Sequence, residues 1–264
     1  MKNIIVITGA SSGIGREFAL MLDKIENADE IWAVARRADR LCELGKELKT
    51  PVKALPLDLS DENGVSEYKK ILDDEEVNVK MLVNCAGYGK FNHYENIPPE
   101  VNQNMINLNV KAVVGMVDAT LPKMGAGGRI INIASCAGFQ PIPYINIYAA
   151  TKAFVLHYSR ALSVELKYRG ITVTAVCPYW TKTEFFDRAI AKDEKTVIIN
   201  YGVMYDPKKV VAKALKDAYK GKDVSVYGGV NNFQRALTKL LPHQLVMKVW
   251  MGMQKFDGTK DIRK

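Results

Sequence analysis

The sequence is short of histidine and cysteine, and neither is arranged for metal or disulfide chemistry. Its four cysteines, Cys42, Cys85, Cys136 and Cys177, lie far apart and form no Cys-x-x-Cys. That excludes the usual zinc spacing and offers no disulfide framework. His93, His157 and His243 stand away from Cys pairs and carboxylate clusters, so no metal is expected. There is no run of 18 apolar residues and no basic stretch leading into an apolar signal core, which argues against membrane spanning and export. Blocks of like charge are missing too. The 37 Lys+Arg and 29 Asp+Glu give +8 spread along the chain, a pattern that favours a polyanionic small ligand or a charged surface over nucleic acid. Repeats of fixed period and low-complexity tracts are absent. The expected setting is a reducing cytoplasm, with no integral membrane contact.

What the chain does contain is alternation. Apolar runs at 4–7, 31–35, 52–55, 81–84, 129–133, 171–176 and 224–227 read as strands. Amphipathic stretches at 16–25, 38–48, 61–72, 99–124, 147–168 and 207–220 read as helices. Strand, helix, strand in repetition means parallel pairing with right-handed crossovers. At 264 residues this predicts an α/β, single-domain, Rossmann-like doubly wound parallel sheet of about seven strands, with ligands at the carboxyl strand ends. Residues 1–229 form the expected dinucleotide-binding catalytic domain, and 230–264 a helical extension of it.

The first apolar run flows into Thr8-Gly9-Ala10-Ser11-Ser12-Gly13-Ile14-Gly15. Residues without Cβ let the backbone turn tightly and approach phosphate, and the helix that follows offers unpaired N–H groups and a positive dipole end. Ser11 and Ser12 add hydroxyls. At the end of the second strand, where an acidic residue would hold a ribose 2′-hydroxyl, the chain reads Ala35-Arg36-Arg37. Two guanidiniums suit a 2′-phosphate through charge-assisted bonds, so NADP(H) is the expected cofactor.

Tyr148 and Lys152 are four residues apart, which places a phenol and an ammonium on one face of a helix. Tyr205 and Lys209 repeat the spacing, but Asp206-Pro207 reads as an N-cap and first helical residue and leaves Tyr205 outside the helix. A phenol titrates near pH ~10, and an adjacent ammonium is expected to lower that value. Ser135 falls at a carboxyl strand end, without the Gly-x-Ser-x-Gly frame of a hydrolase elbow. It would hydrogen-bond a substrate oxygen as charge develops. A dinucleotide loop and a proton-transfer pair together imply hydride transfer coupled to protonation.

With these motifs in order, the chain resembles the short-chain dehydrogenase/reductase family over roughly residues 3–228. The resemblance rests on the glycine loop, Asp58 in Leu57-Asp58-Leu59, Asn84-Cys85-Ala86-Gly87 and Asn109 in Asn107-Leu108-Asn109-Val110. It continues through Ser135, the Tyr148/Lys152 pair, and Pro178 with Thr183. It implies that Tyr148 is the general acid in reduction, Ser135 the orienting donor, and Lys152 both the tuning charge and a ribose contact. It also implies that Asn109 anchors a proton-relaying water. Gly9, Ser11, Ser12, Gly13, Ile14, Gly15, Arg36, Arg37, Asp58, Asn84, Ala86, Gly87, Tyr148, Lys152, Pro178 and Thr183 would then line the cofactor groove. Asp58 would touch the adenine and Thr183 the carboxamide end. Cys85 replaces a second Asn, and Tyr179 replaces a common Gly, adding an aromatic wall.

Residues 179–206 carry Tyr179, Trp180, Phe185, Phe186, Ile190, Ile198 and Ile199, a substrate loop by the same resemblance. Phe91, His93, Tyr94, Phe139, Pro141, Ile142, Pro143 and Tyr144 add apolar surface nearby. A large hydrophobic ketone or secondary alcohol, such as a hydroxysteroid, a bile acid or a 3-oxoacyl group, is the expected substrate. A non-catalytic NADP(H)-sensing protein is the alternative. The tail, with Leu240-Leu241-Pro242 and Met, Leu and Trp on one helical side, reads as a pocket-closing helix or a subunit contact ahead of a membrane-surface face. A homodimer or homotetramer is expected.

Overall fold

In the computed structural model, residues 1–190 and 197–255 are described. The chain begins with β1 (Lys2–Thr8), whose apolar residues alternate between two buried faces: Ile4 and Val6 point one way, Ile5 and Ile7 the other. Strands buried on both sides are what a parallel sheet covered by helices requires. There follow α1 (Gly13–Ile25), β2 (Glu30–Val34), α2 (Ala38–Glu47), β3 (Val52–Leu55), α3 (Glu62–Asp73) and β4 (Val77–Asn84). The second half adds α4 (Pro99–Ile106), α5 (Ala112–Thr120), β5 (Arg129–Ile133), α6 (Asn146–Glu165) and β6 (Thr172–Val176). It closes with α7 (Phe185–Ala189), α8 (Pro207–Tyr219), β7 (Val224–Ser225), α9 (Gly229–Leu240) and α10 (His243–Met253).

The seven strands are parallel in the order β3-β2-β1-β4-β5-β6-β7. The sheet thus reverses winding between β1 and β4, where a crevice opens at the carboxyl ends. Phe18 and Leu22 of α1 join Leu41, Leu44 and Val211 on one face, while Tyr68, Leu72, Met105 and Met116 pack on the other. Each such side chain, fully withdrawn from water, stabilises the fold by roughly 1.5–3 kcal/mol. Tyr68 is buried with its hydroxyl satisfied by Thr120 Oγ1 at 2.8 Å.

Two departures from the sequence pattern matter for the site. The helical stretch expected over 99–124 is not continuous: Asn107–Lys111 forms a π-type turn between α4 and α5, and Leu121–Lys123 ends the run in a 3₁₀ turn. The π turn admits one extra residue and swings Asn109 inward, where it is 0% exposed. The last strand is shorter than expected, with only Val224 and Ser225 paired. Beyond Asp206, which caps α8 by accepting from Lys208 N–H at 2.8 Å, the structure follows the predicted start. Tyr205 lies outside that helix, bridged to Thr181 and packed edge-on against Tyr179 and Tyr227. Residues 191–196 of the expected substrate loop and 256–264 of the expected extension lie outside the described residues.

Candidate functional site

A cavity of 880 Å³ opens along the carboxyl ends of the strands. Its floor is assembled from the residues that leave each strand: Gly9 to Gly15 after β1, Arg36 and Arg37 after β2, and Asp58 after β3. The floor continues with Ala86 and Gly87 after β4, Ser135 after β5, and Pro178 with Thr183 after β6.

At one end the glycine loop holds Gly9 at φ +67°, and a Cβ there would meet Ala86 N at 2.9 Å. Only glycine permits that turn beside the β4 exit. Thr8 Oγ1 secures the junction by accepting from Cys85 and Ala86 N–H at 3.0 Å each. Ser12, the N-cap of α1, makes no side-chain capping bond, and the first turn carries no acidic residue. The N–H groups of that turn therefore suit an anion. Arg37 reaches across, donating to Ser11 Oγ at 3.1 Å and Ser12 Oγ at 2.8 Å. Its other nitrogen donates to Glu184 at 3.0 Å, and Arg40 joins the same carboxylate at 3.3 Å. Hydrogen bonding from Arg37 holds Glu184 below the usual carboxylate range. Arg36 sits 3.6 Å from Asp58. Burial pushes Asp58 upward, but bonds from Ser60 and the charge of Arg36 outweigh it and leave it lowered. Loop, uncapped helix start and paired guanidiniums make a cradle that fits the phosphates of a dinucleotide.

Toward the centre, Ser135, Tyr148 and Lys152 share the cavity wall. Tyr148 and Lys152 are one turn apart on α6, as the spacing requires. The ammonium donates to Ile133 O at 2.7 Å and stands 5.7 Å from the Tyr148 ring centroid. Burial lowers Lys152 from 10.5 to about 8. The expectation that Lys152 would pull the phenol down is not met in this arrangement. Burial dominates and pushes Tyr148 well above 10, with Ser135 opposing through a hydrogen bond. The phenol is thus held protonated, the form that gives a proton away.

Asn109 and Asn84 are placed differently from the other expected groove residues, since neither lines the cavity. Asn109 Oδ1 accepts from Tyr88 N–H at 3.1 Å, while its Nδ2 donates to Tyr88 O at 2.9 Å and Thr151 Oγ1 at 3.1 Å. It fixes the Gly87–Tyr88 backbone from behind. A Cβ on Gly87 would meet Asn109 Oδ1 at 2.9 Å and Lys152 Nζ at 3.4 Å, so the three groups form a close stack. Asn84 is 2% exposed and donates to Asn132 Oδ1 at 2.9 Å; Asn132 in turn donates to Ser159. The Asn84 Nδ2 braces β4 to β5 and, through Asn132, to α6, while its buried Oδ1 has no hydrogen-bond partner among the described residues.

The far half of the cavity is apolar. Tyr179, Trp180, Phe185, Phe186 and Ile142 line it as expected. Phe91, His93, Tyr94, Phe139, Tyr144, Ile190, Ile198 and Ile199 do not. Phe91 instead backs Tyr148 and Trp180 edge-on and Phe185 at a tilt, and His93 meets Tyr144 edge-on at 4.8 Å. The tail joins the wall, in keeping with a pocket-closing helix, through Phe233 and Leu237 of α9 and Val246, Val249 and Trp250 of α10, and Arg188 of α7, which the sequence did not single out, completes it. Arg188 lies 3.4 Å over the Tyr88 ring. Trp250 Nε1 donates to Pro143 O at 3.2 Å, and Gln254 accepts from Ile199 and Asn200 N–H at 3.0 Å each. These contacts hold the tail against the cavity. Only the Met, Leu and Trp periodicity of the tail hinted at this face.

Comparison with known proteins places this geometry. Sulfoacetaldehyde reductase 2 of Chromohalobacter salexigens is 36% identical over 201 residues, covering 70% of this chain and 75% of that protein. The very-long-chain 3-oxoacyl-CoA reductase of Homo sapiens is 28% identical over 269 residues, covering 98% of this chain and 82% of that protein. Among solved structures, a short-chain dehydrogenase from Sphingobium yanoikuyae in complex with NADPH superposes with a TM-score of 0.74 at 28% identity. That superposition covers 91% of this chain and 96% of the other. The signature of the short chain dehydrogenases matches residues 3–195, and the chain belongs to that family of oxidoreductases acting on CH–OH and C=O groups.

Proposed function

We propose that the chain is an NADP(H)-dependent reductase of hydrophobic ketones, running in reverse as a secondary-alcohol dehydrogenase. The observation that carries this reading is the continuity of one cavity: guanidiniums and glycine loop at one end, Ser135, Tyr148 and Lys152 in the middle, aromatic and aliphatic walls beyond. The apolar lining of the far half favours an extended or polycyclic substrate, a 3-oxoacyl or steroid-like ketone, over a small polar one. The similarity to a very-long-chain 3-oxoacyl-CoA reductase is in keeping with this.

When bound, the reduced nicotinamide supplies the hydride. The protein's own residues do the rest. Ser135 donates to the carbonyl oxygen and fixes its direction. Tyr148, kept protonated by burial, breaks its O–H bond toward that oxygen as the new C–H bond forms, so that the ketone gains a hydride and a proton and leaves as alcohol. The phenolate left behind is countered by Lys152, which is charged below pH about 8. Asn109 acts at one remove, holding Gly87 and Tyr88 against Lys152. Phe185, 5.5 Å from the Tyr148 ring, and Trp180 keep water from the reacting carbon.

Tyr148→Phe tests the assignment. Removing the proton donor should lower turnover by about 10²- to 10⁴-fold while NADPH affinity stays unchanged. Undiminished turnover of a ketone in the variant would overturn it. Absence of turnover in the wild type across ketones, steroids and acyl thioesters would favour a sensing role instead.

A further inference from the structure

We propose that the outer faces of α9 and α10 form a docking surface for an anionic lipid bilayer, through which apolar substrates reach the cavity. Helix α9 is turned opposite to the usual arrangement, in which the apolar stripe faces the core, while α10 is apolar on both sides, with Val246 buried and Leu245, Val249 and Met253 exposed. In α9 the inward residues are polar: Asn231 is 0% exposed and donates to Cys177 O at 2.9 Å, and Thr238 is 6% exposed. The outward residues are apolar, with Phe233 at 69% and Leu240 at 82% exposure. Val230, Phe233, Leu237 and Leu240 follow one stripe of α9, and Leu245, Val249 and Met253 one stripe of α10. Several of these, Phe233 and Val249 among them, also line the cavity. The exposed stripe is therefore the rim of the substrate entrance and not a separate patch.

Charge selects the occupant. From residue 224 to residue 256 there is no Asp or Glu, while Arg235, Lys239, Lys248 and Lys255 occur there. Lys248 and Lys255 border the α10 stripe, and both are exposed. An apolar face edged with cations and lacking anions matches the headgroup boundary of an acidic membrane. A second copy of the chain fits less well. Self-pairing through this face would bring lysines toward lysines, and the described residues from 224 to 255 offer no carboxylate to neutralise them. No helix among the described residues is long and apolar enough to cross a membrane, so the contact is with the surface.

The test is co-sedimentation of the full chain with phosphatidylcholine vesicles, with and without phosphatidylserine. Binding is expected only to the acidic vesicles and should weaken as salt is raised. Lys239→Gln with Lys248→Gln should reduce it by roughly ten- to thirtyfold, and Leu240→Glu with Leu245→Glu should abolish it. Neither leucine lines the cavity. Circular dichroism melting checks that each variant is folded, and the lysine pair serves alone if the leucine variant is not. Failure of the wild-type chain to bind acidic vesicles would overturn the proposal. So would a dimer, seen by sedimentation velocity, that the leucine substitutions disperse while vesicle binding is absent. The assay needs no turnover, so either failure leaves the oxidoreductase reading untouched.

Discussion

Arg37 stands between two carboxylate-like demands, and the balance between them is measurable. It donates to Glu184 and also to Ser11 and Ser12, and a 2′-phosphate arriving beside β2 would compete with Glu184 for the same guanidinium. Charge-assisted hydrogen bonds contribute about 1.5–3 kcal/mol each. The Arg37 side chain is 43% exposed, so screening reduces the two available bonds to about that much in total. Arg37→Ala should then raise the Kd for NADPH by about 10- to 100-fold, since ~1.4 kcal/mol is a factor of ten. NADH, lacking the phosphate, should change by less than about threefold on the same reasoning. Glu184→Gln removes the competitor. An exposed ion pair is worth about 0.2–1 kcal/mol, so NADPH should bind up to about fivefold more tightly. Fluorescence titration with both nucleotides reads each number. Equal losses for NADPH and NADH in Arg37→Ala would refute the reasoning, because they would show that Arg37 merely ties down the glycine loop.

Gly9→Ala places a methyl group 2.9 Å from Ala86 N at φ +67°. It should cost about 1–3 kcal/mol of stability and weaken both nucleotides together, measured by urea denaturation and the same titration. Lys152 has a folded value of about 8, below its ordinary 10.5, so the unfolded chain binds more protons between those two pH values. Stability should therefore rise from pH 8 to 10.5 by about 3 kcal/mol relative to Lys152→Met, while ketone reduction declines above pH 8 as the ammonium is lost. Parallel stability profiles for wild type and variant would contradict this.

The layering and topology were legible because two periods carry them. Alternating apolar residues such as Ile4 to Ile7 specify buried strands, and strand-helix repetition specifies their direction. The site residues that leave strands, from Gly9 to Thr183, were legible for the same reason: chain order fixes which strand end each occupies. Side-chain direction was not. Asn84 sits one residue before the groove and points into the sheet, a difference of one step in a period of two. The π turn at Asn109 has the composition of any α-helix, so nothing in 99–124 announced it. The walls supplied by α9 and α10 depend on how the tail folds back over Pro143 and Asn200, contacts that join residues distant in sequence. The same long range hid the partnership of Arg37 with Glu184.

The π turn over Asn107–Lys111 couples the chemistry to the fold's integrity. Such a turn is an α-helix carrying one surplus residue in a single turn. Excising a residue would straighten the rod but rotate everything after it by about 100°. Val113, Met116 and Val117, now 5%, 1% and 1% exposed, would swing out of their sockets. The irregularity that aims Asn109 therefore also sets the phase of α5, so a regular helix here would need a different set of residues facing the sheet.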